Sequence, residues 1–198
     1  MIGGEIMVSK RQLTNILENT PVIPAIKNEQ GLRKVIETDN KIVFILNADI
    51  LGIRNIIETL KKHDKIPFIH VDMITGFASN PIVIDYLVSQ YKNECGIIST
   101  KSNMIKKAME SDVRVIQRLF VLDSLSIETN IQQIKKMHPD AVEIMPGIIP
   151  RVIKRIKSEI PEIPIIAGGL IESKEDIMDV LKSGGIAVST SKESLWDI

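Results

Sequence analysis

Residues 164–191 read PIIAGGLIESKEDIMDVLKSGGIAVSTS, and this stretch decides the fold. A short aliphatic run opens it, and a segment follows in which Ile177 and Val180 have helical spacing. Ser183–Gly185 then ends that helix, because glycine adopts the left-handed conformation at little cost. A second aliphatic run, Ile186–Ser189, comes next. The stretch therefore predicts a strand–helix–strand unit of the kind that builds parallel sheets.

The same alternation continues through the rest of the chain. Segments of helical spacing separate eight aliphatic runs of strand length, which are Val22–Ile26, Lys41–Leu46, Ile66–Asp72, Gly96–Thr100, Val113–Phe120, Ala141–Met145, Pro164–Ala167 and Ile186–Ser189. Eight such units close a parallel sheet into a (β/α)8 TIM barrel. We therefore predict an α/β protein with a single compact barrel domain over residues 1–198. The alternative is an open doubly wound sheet, which usually has fewer strands at this length.

An extension of about 20 residues precedes the first predicted strand. Within it, Ser9–Asn19 places Leu13, Ile16 and Leu17 on one face of a helix. We expect this short helix to plug the bottom of the barrel.

Composition excludes several classes of protein. Lys+Arg and Asp+Glu both number 25, so the net charge is zero, which argues against coating nucleic acid or an anionic membrane by bulk charge. The single cysteine, Cys95, cannot form an intramolecular disulfide, so we expect a reducing, cytoplasmic compartment. The residues Met1–Glu5 contain no basic segment of a signal peptide, and no apolar run is long enough to span a membrane.

Polar residues stand where the predicted strands end. In a barrel of this type the ligand binds at the C-terminal ends of the strands. Five charged residues at these ends are candidates for a ligand pocket, namely Lys27, Asp72, Lys101, Arg118 and Glu143. For Asp72, Lys101, Arg118 and Glu143 the alternative role is a buried network of ion pairs with one another.

The last two strand ends predict a phosphate site. Gly168 and Gly169 let the backbone approach a ligand closely, and Thr190 and Ser191 precede a short helical segment. Loops after strands seven and eight of such barrels frequently bind phosphate. We expect amide groups near Gly169, Thr190 and Ser191 to hold the anion, with Gly147 at the rim. The alternative is that the glycines only form a tight turn and Ser191 only caps the helix.

His70 and Asp72 lie two residues apart on the third predicted strand and so share a face. They could serve as a base with its orienting carboxylate, or as two metal ligands. Because no other histidine stands at a strand end, a third metal ligand is missing, and we expect no metal site.

A basic face is predicted on the helix that follows the sixth strand. Arg151, Lys154 and Arg155 form it. This face is either an ordinary solvated helix surface or a patch that contacts RNA phosphates.

Several stretches together resemble the glycerol uptake operon antiterminator regulatory proteins. These are Pro21–Lys27, His70–Ile74, Gly96–Lys101, Gln117–Phe120, Met145–Pro150, Ala167–Ile171, Thr190–Lys192 and Leu195–Asp197. The resemblance extends from about Pro21 to the end of the chain.

The resemblance implies a bacterial cytoplasmic regulator of transcription. Members of the family are understood to bind glycerol 3-phosphate and to act on the leader mRNA of a glycerol operon, allowing transcription past a terminator. The polar residues of the barrel would then hold a ligand without transforming it, and no cofactor is implied. Because bulk charge cannot drive RNA binding here, we expect a local surface and a homo-oligomer with more than one subunit taking part.

The competing interpretation is an enzyme. An isomerase, aldolase or lyase acting on a small phosphorylated metabolite would use Asp72, Lys101 and Glu143 for acid–base or Schiff-base chemistry.

Overall fold

The structure is a computed structural model that describes residues 8–91 and 94–198. Eight parallel strands close into a barrel. They are β1 (Val22–Ile26), β2 (Ile42–Ile45), β4 (Ile66–His70), β6 (Gly96–Ser99), β7 (Val115–Phe120), β8 (Ala141–Met145), β9 (Ile165–Gly168) and β10 (Ala187–Thr190). Around the barrel they follow the order β1-β10-β9-β8-β7-β6-β4-β2. The predicted TIM barrel is confirmed, and the open sheet is wrong.

The helices alternate with the barrel strands, and the first of them precedes β1. They are α1 (Lys10–Asn19), α2 (Glu29–Val35), α3 (Ile53–Lys62), α4 (Ile82–Tyr91), α5 (Ser102–Glu110), α6 (Ser124–Met137), α7 (Pro150–Glu159) and α8 (Lys174–Lys182). Side-chain caps fix where several of them begin. For example, the Ser173 hydroxyl accepts the Asp176 amide at 3.1 Å, and an Asp176 carboxylate oxygen accepts the Ser173 amide at 2.8 Å.

The apolar residues divide into two core layers. The larger layer lies between the sheet and the helices and includes Val115, Ile144 and Ile153. The smaller layer contains Phe44 and Phe68 from the strands. Because strands in a closed parallel barrel are covered on both faces, they read as continuous Ile- and Val-rich runs.

Helix α1 belongs to the smaller core layer, as the sequence predicts. Leu13 and Leu17 are fully buried there beside the strand residues Ile23 and Phe44. Residues Met1–Met7 of the predicted extension lie outside the described residues.

Some predicted strand limits are wrong. The third predicted strand ends at His70, and Val71–Met73 forms a 3-10 turn, so Asp72 does not share a strand face with His70. The predicted strand Val113–Phe120 begins at Val115, because Asp112 has a left-handed backbone that ends the preceding turn. The other limits differ by at most one residue, as at Pro164, which lacks the amide hydrogen that a strand donates.

A second sheet was not predicted. It consists of β3 (Ala48–Asp49) and β5 (Ile74–Thr75), which pair in parallel. Along the chain, β3 follows β2 and β5 follows β4. Strands of two residues leave no alternation in the sequence. In the described part of the chain, no helix has both the length and the apolar composition needed to cross a membrane.

Candidate functional site

A cavity of about 430 Å³ opens at the C-terminal end of the barrel. Its lining comes from β1, β2, β7, β8, the loop after β9, and the end of β10. Six of the residues predicted for the site line it, namely Lys27, Arg118, Glu143, Gly169, Thr190 and Ser191. This volume is within the range of small-molecule pockets.

The floor of the cavity contains a buried ion pair. Arg118 and Glu143 face each other because β7 and β8 pair in a register that matches these two residues. Arg118 Nε donates to Glu143 Oε2 at 2.6 Å, and Ser189 Oγ donates to Glu143 Oε1 at 2.5 Å. Glu143 is fully buried and Arg118 is 6% exposed, so the pair is held out of bulk water. The predicted buried network is therefore present between these two residues.

Among the described residues, no strong acceptor uses the remaining donors of the Arg118 guanidinium. Its Nη1 contacts Met73 Sδ at 3.9 Å, which is a weak interaction. A guanidinium has five N–H donors, and Glu143 takes only the one on Nε. Arg118 can therefore donate to a ligand without losing its carboxylate partner.

Two ammonium groups line the rim of the cavity. Lys27 Nζ donates to Ser191 Oγ at 2.9 Å, which joins the end of β1 to the end of β10. Lys192 Nζ donates to the main-chain oxygen of Glu172 at 2.6 Å. Sequence reasoning missed Lys192, although it directly follows Thr190 and Ser191, which are predicted for the phosphate site.

The loop after β9 has an unusual backbone at this rim. Gly169 and Leu170 both have positive φ, at 74° and 60°. A Cβ on Gly169 would lie 2.8 Å from Met145 Cε, so only glycine fits there without movement. Leu170 is a rare case of a bulky residue in the left-handed region.

Two other predicted glycines serve packing and do not line the cavity. A Cβ on Gly168 would lie 2.5 Å from Glu143 Oε1 and 2.6 Å from Ser189 Oγ. A Cβ on Gly147 would lie 2.9 Å from the Ala167 backbone, and the Gly147 amide already donates to Gly168 O at 2.6 Å. The Gly147 amide hydrogen is therefore used by Gly168 and is not available to a ligand at the rim.

Asp72 lies at the mouth but is occupied by protein donors. Its carboxylate accepts the Thr100 amide at 2.7 Å and the Ser99 hydroxyl at 2.9 Å. Lys101 Nζ lies 3.9 Å from Asp72 Oδ1 and also contacts the Ser79 hydroxyl. These contacts tie β6 to the loops after β4 and before α4, and neither Asp72 nor Lys101 lines the cavity.

His70 is buried beside this network. Its Nδ1 lies 3.9 Å from Asp72 Oδ2 and has no hydrogen-bond partner among the described residues. Burial, helped by the nearby positive charge of Arg118 and opposed by Asp72, lowers the pKa of His70 from 6.5 to about 4. The imidazole is therefore neutral at physiological pH. Within residues 8–91 and 94–198, no group of three His, Cys, Asp or Glu side chains could hold a metal ion.

The basic residues of α7 are exposed, as predicted for either a solvated face or an RNA-binding patch. Arg155 Nη2 forms an ion pair with Glu128 of α6 at 3.2 Å. Arg151 and Lys154 form no ion pair with another described residue. The free positive charge of this face is therefore smaller than the sequence suggests.

The fold and the mouth define the molecule as a small (β/α)8 barrel with a polar cavity at the C-terminal ends of its strands. Residues 22–196 match the family described as "Glycerol-3-phosphate responsive antiterminator". The chain belongs to this family, which confirms the resemblance seen in the sequence.

Individual proteins are also similar to this chain. The chain is similar to "Uncharacterized protein YgcP" of Escherichia coli (strain K12), with 34% identity over 94% of this chain and 96% of that protein. It is also similar to the crystal structure of the glycerol uptake operon antiterminator regulatory protein from Listeria monocytogenes str. 4b F2365. That similarity has a TM-score of 0.84 and 35% identity, and covers 90% of this chain and 95% of the other.

A third relative is a glycerol uptake operon antiterminator-related protein from Thermotoga maritima MSB8. The TM-score is 0.79 and the identity 29%, over 89% of this chain and 98% of the other.

Proposed function

We propose that the cavity at the barrel mouth binds glycerol 3-phosphate and that the protein acts, in response, on the leader mRNA of a glycerol operon. The observation that carries the proposal is a cavity whose rim and floor differ in chemistry, with lysines at the rim and the Arg118–Glu143 pair on the floor. The family description supports the ligand, because it names a glycerol-3-phosphate responsive antiterminator.

The rim suits the phosphate group. Lys27 and Lys192 supply two positive charges, and the Ser191 hydroxyl lies between the ends of β1 and β10. Gly169 has no side chain, so a phosphate oxygen can approach the main chain there. Charge-assisted hydrogen bonds of this kind are about twice as strong as neutral ones.

The floor suits the glycerol hydroxyls. A hydroxyl can accept from the unused Arg118 donors, and it can donate to a Glu143 carboxylate oxygen that has a further lone pair. The Ser189–Glu143–Arg118 chain of hydrogen bonds fixes both side chains before a ligand arrives, which lowers the entropic cost of binding.

Calorimetric titration with glycerol 3-phosphate tests the ligand assignment. We expect Lys27→Met and Lys192→Met each to weaken binding at least tenfold, or about 1.4 kcal/mol. Lys174→Met is the matched control, because Lys174 is an exposed lysine outside the cavity lining, and its affinity should equal that of the wild type. Wild-type affinity in both cavity variants would refute the site.

The regulator also differs from an enzyme in what it does to its ligand. We expect NMR spectra of glycerol 3-phosphate to stay unchanged after long incubation with the protein in deuterated water. Cleavage, isomerisation or deuterium exchange at carbon would instead show an isomerase, aldolase or lyase. The contacts of Asp72 and Lys101 with protein groups support the regulator, since these residues were the acid–base candidates of the enzyme interpretation.

The basic residues on α7 are the proposed RNA contacts. Arg151, Lys154 and Arg155 are exposed on one helix, and the first two carry charge that no described carboxylate neutralises. RNA phosphates are the ligands that such residues bind in a salt-dependent manner.

A further inference from the structure

Charge is divided unequally between the rim and the floor of the cavity. The charged residues that line it in the described part of the chain are Lys27, Arg118, Glu143, Glu172 and Lys192. Lys27, Glu172 and Lys192 are exposed at the rim, where two lysines outnumber one glutamate. Arg118 and Glu143 are buried at the floor, where they neutralise each other at 2.6 Å. The rim therefore attracts an anion, whereas the floor has no net charge.

The groups beside the floor add no charge to it. His70 is neutral at physiological pH, because burial lowers its pKa to about 4. The Asp72 carboxylate lies 3.9 Å from the Lys101 ammonium and accepts hydrogen bonds from Ser99 and Thr100. Among the described residues, the floor therefore offers an acid group of a ligand no cation without a carboxylate partner.

The Glu143 carboxylate is fixed as an acceptor at this floor. Arg118 Nε donates to one of its oxygens, and Ser189 Oγ donates to the other. A Cβ on Gly168 would lie 2.5 Å from Glu143 Oε1, so the glycine leaves room for the carboxylate in this position. A carboxylate in an ion pair accepts hydrogen bonds and donates none. It therefore favours a ligand group that donates a hydrogen bond, and it repels one that carries negative charge.

We propose that Glu143 is the specificity-determining residue of the cavity, and that it restricts the ligands to phosphate monoesters whose other end is neutral and hydroxylated. The inference rests on the proposed function, because it takes the rim as the phosphate end. A hydroxyl can donate to Glu143 while it accepts from an unused Arg118 donor. A carboxylate in the same place would lose its water against a buried carboxylate, while the cation beside it is already paired.

Calorimetric titration of the wild type with three phosphates on one carbon skeleton tests the selectivity. 3-Phosphoglycerate carries a carboxylate where glycerol 3-phosphate carries a CH2OH group, and the carboxamide of this acid has the same shape without the charge. We expect the acid to bind about a hundredfold or more weakly than glycerol 3-phosphate. The carboxamide should recover most of that loss, because its N–H groups can donate to Glu143.

Glu143→Gln tests the residue itself. Glutamine keeps the shape of the side chain and removes its charge, so Arg118 becomes an unpaired cation at the floor. The acid should then gain affinity while glycerol 3-phosphate loses it, and the ratio of their dissociation constants should fall at least tenfold. The matched control is Glu172→Gln, which removes a carboxylate from the rim of the same cavity. It should strengthen the binding of both phosphates alike and keep the wild-type ratio.

The possible failures are distinguishable. Equal affinity of the wild type for the acid and for glycerol 3-phosphate overturns the inference and leaves the phosphate site standing. A folded Glu143→Gln protein, checked by circular dichroism and Tm, that keeps the wild-type ratio also overturns it. If that variant does not fold, the comparison of the acid with its carboxamide in the wild type decides. A wild type that binds none of the three phosphates refutes the proposed function and the inference with it.

Discussion

Burial controls the charge of His70 at the floor of the mouth. The side chain is 2% exposed, and its Nδ1 has no hydrogen-bond partner among the described residues. Loss of water disfavours the charged imidazolium, and Arg118 disfavours it further, so the pKa falls from 6.5 to about 4. Proton uptake by this residue is therefore linked to unfolding.

This linkage predicts a stability loss in mild acid. Because the folded-state pKa lies below the unfolded value, the unfolded chain takes up the proton first as the pH falls. The contribution of His70 is complete above about pH 6.5 and is lost progressively down to about pH 4. We expect the wild type to lose about 2 kcal/mol more than His70→Asn between about pH 7.5 and pH 5, measured by urea unfolding.

His63→Asn is the control for this experiment, because His63 is exposed at the end of α3. It should keep the full wild-type pH dependence. An unchanged pH dependence in His70→Asn would show that another group titrates.

The left-handed backbone at Gly169 and Leu170 leads to a second prediction for single residues, which concerns the free energy of unfolding. Gly169→Ala should lower the free energy of unfolding by about 1–2 kcal/mol, because the new Cβ meets Met145 and because alanine is disfavoured at a positive φ. Leu170→Gly should stay within about 0.5 kcal/mol of the wild type, since glycine relieves the backbone cost at an exposed position but adds entropy to the unfolded chain. Urea unfolding measures both, and equal stability of the two variants would contradict the explanation.

Among the elements, α1 closes the N-terminal end of the barrel through its buried leucines. Leu17 is fully buried in the smaller core layer. We expect Leu17→Ala to lower the free energy of unfolding by about 2–5 kcal/mol, as large-to-small substitutions in cores do. Leu125→Ala, at a position that is 71% exposed, is the control and should change stability little. A Leu17→Ala protein as stable as this control would mean that α1 only lies against the surface.

Helix α7 carries the proposed RNA contacts. Each phosphate contact contributes about 0.7–0.9 to the slope of log K against log salt. Three contacts give a slope of about −2 to −3 per subunit, and the Arg155–Glu128 pair favours the lower magnitude. Changing Arg151, Lys154 and Arg155 to Ala should flatten the slope and weaken leader-RNA binding, while the affinity for glycerol 3-phosphate stays constant.

The control for α7 is a triple alanine variant of Arg54, Lys61 and Lys62 on α3, which follows β2 elsewhere in the barrel. It should keep the wild-type slope. If the α7 variant binds leader RNA with the parent slope, α7 is only a solvated helix face.

For the molecule as a whole, the sequence predicted the barrel because its signals are local. Each strand–helix unit carries its own aliphatic run and helical spacing, and the count of units leads to closure. The β3–β5 sheet and the 3-10 turn at Val71–Met73 could not be predicted, since segments of two or three residues show no periodicity.

The site was predictable only in part. Lys27 follows β1, and Arg118 and Glu143 lie in the C-terminal halves of β7 and β8, so the rule that ligands bind at the C-terminal ends of the strands places them at the mouth. Which of the predicted residues line the cavity depends on hydrogen bonds between distant loops. Thr100 and Ser99, for example, donate to Asp72, which does not line it. Such contacts leave no spacing in the sequence.

The central claim is that glycerol 3-phosphate binding controls the action of this protein on RNA. Its most direct test is the affinity of the protein for leader RNA of a glycerol operon, measured without ligand and at saturating glycerol 3-phosphate. We predict a change of at least about fivefold, and by reciprocity RNA must change the affinity for the ligand by the same factor. Equal RNA affinity with and without glycerol 3-phosphate would contradict the account.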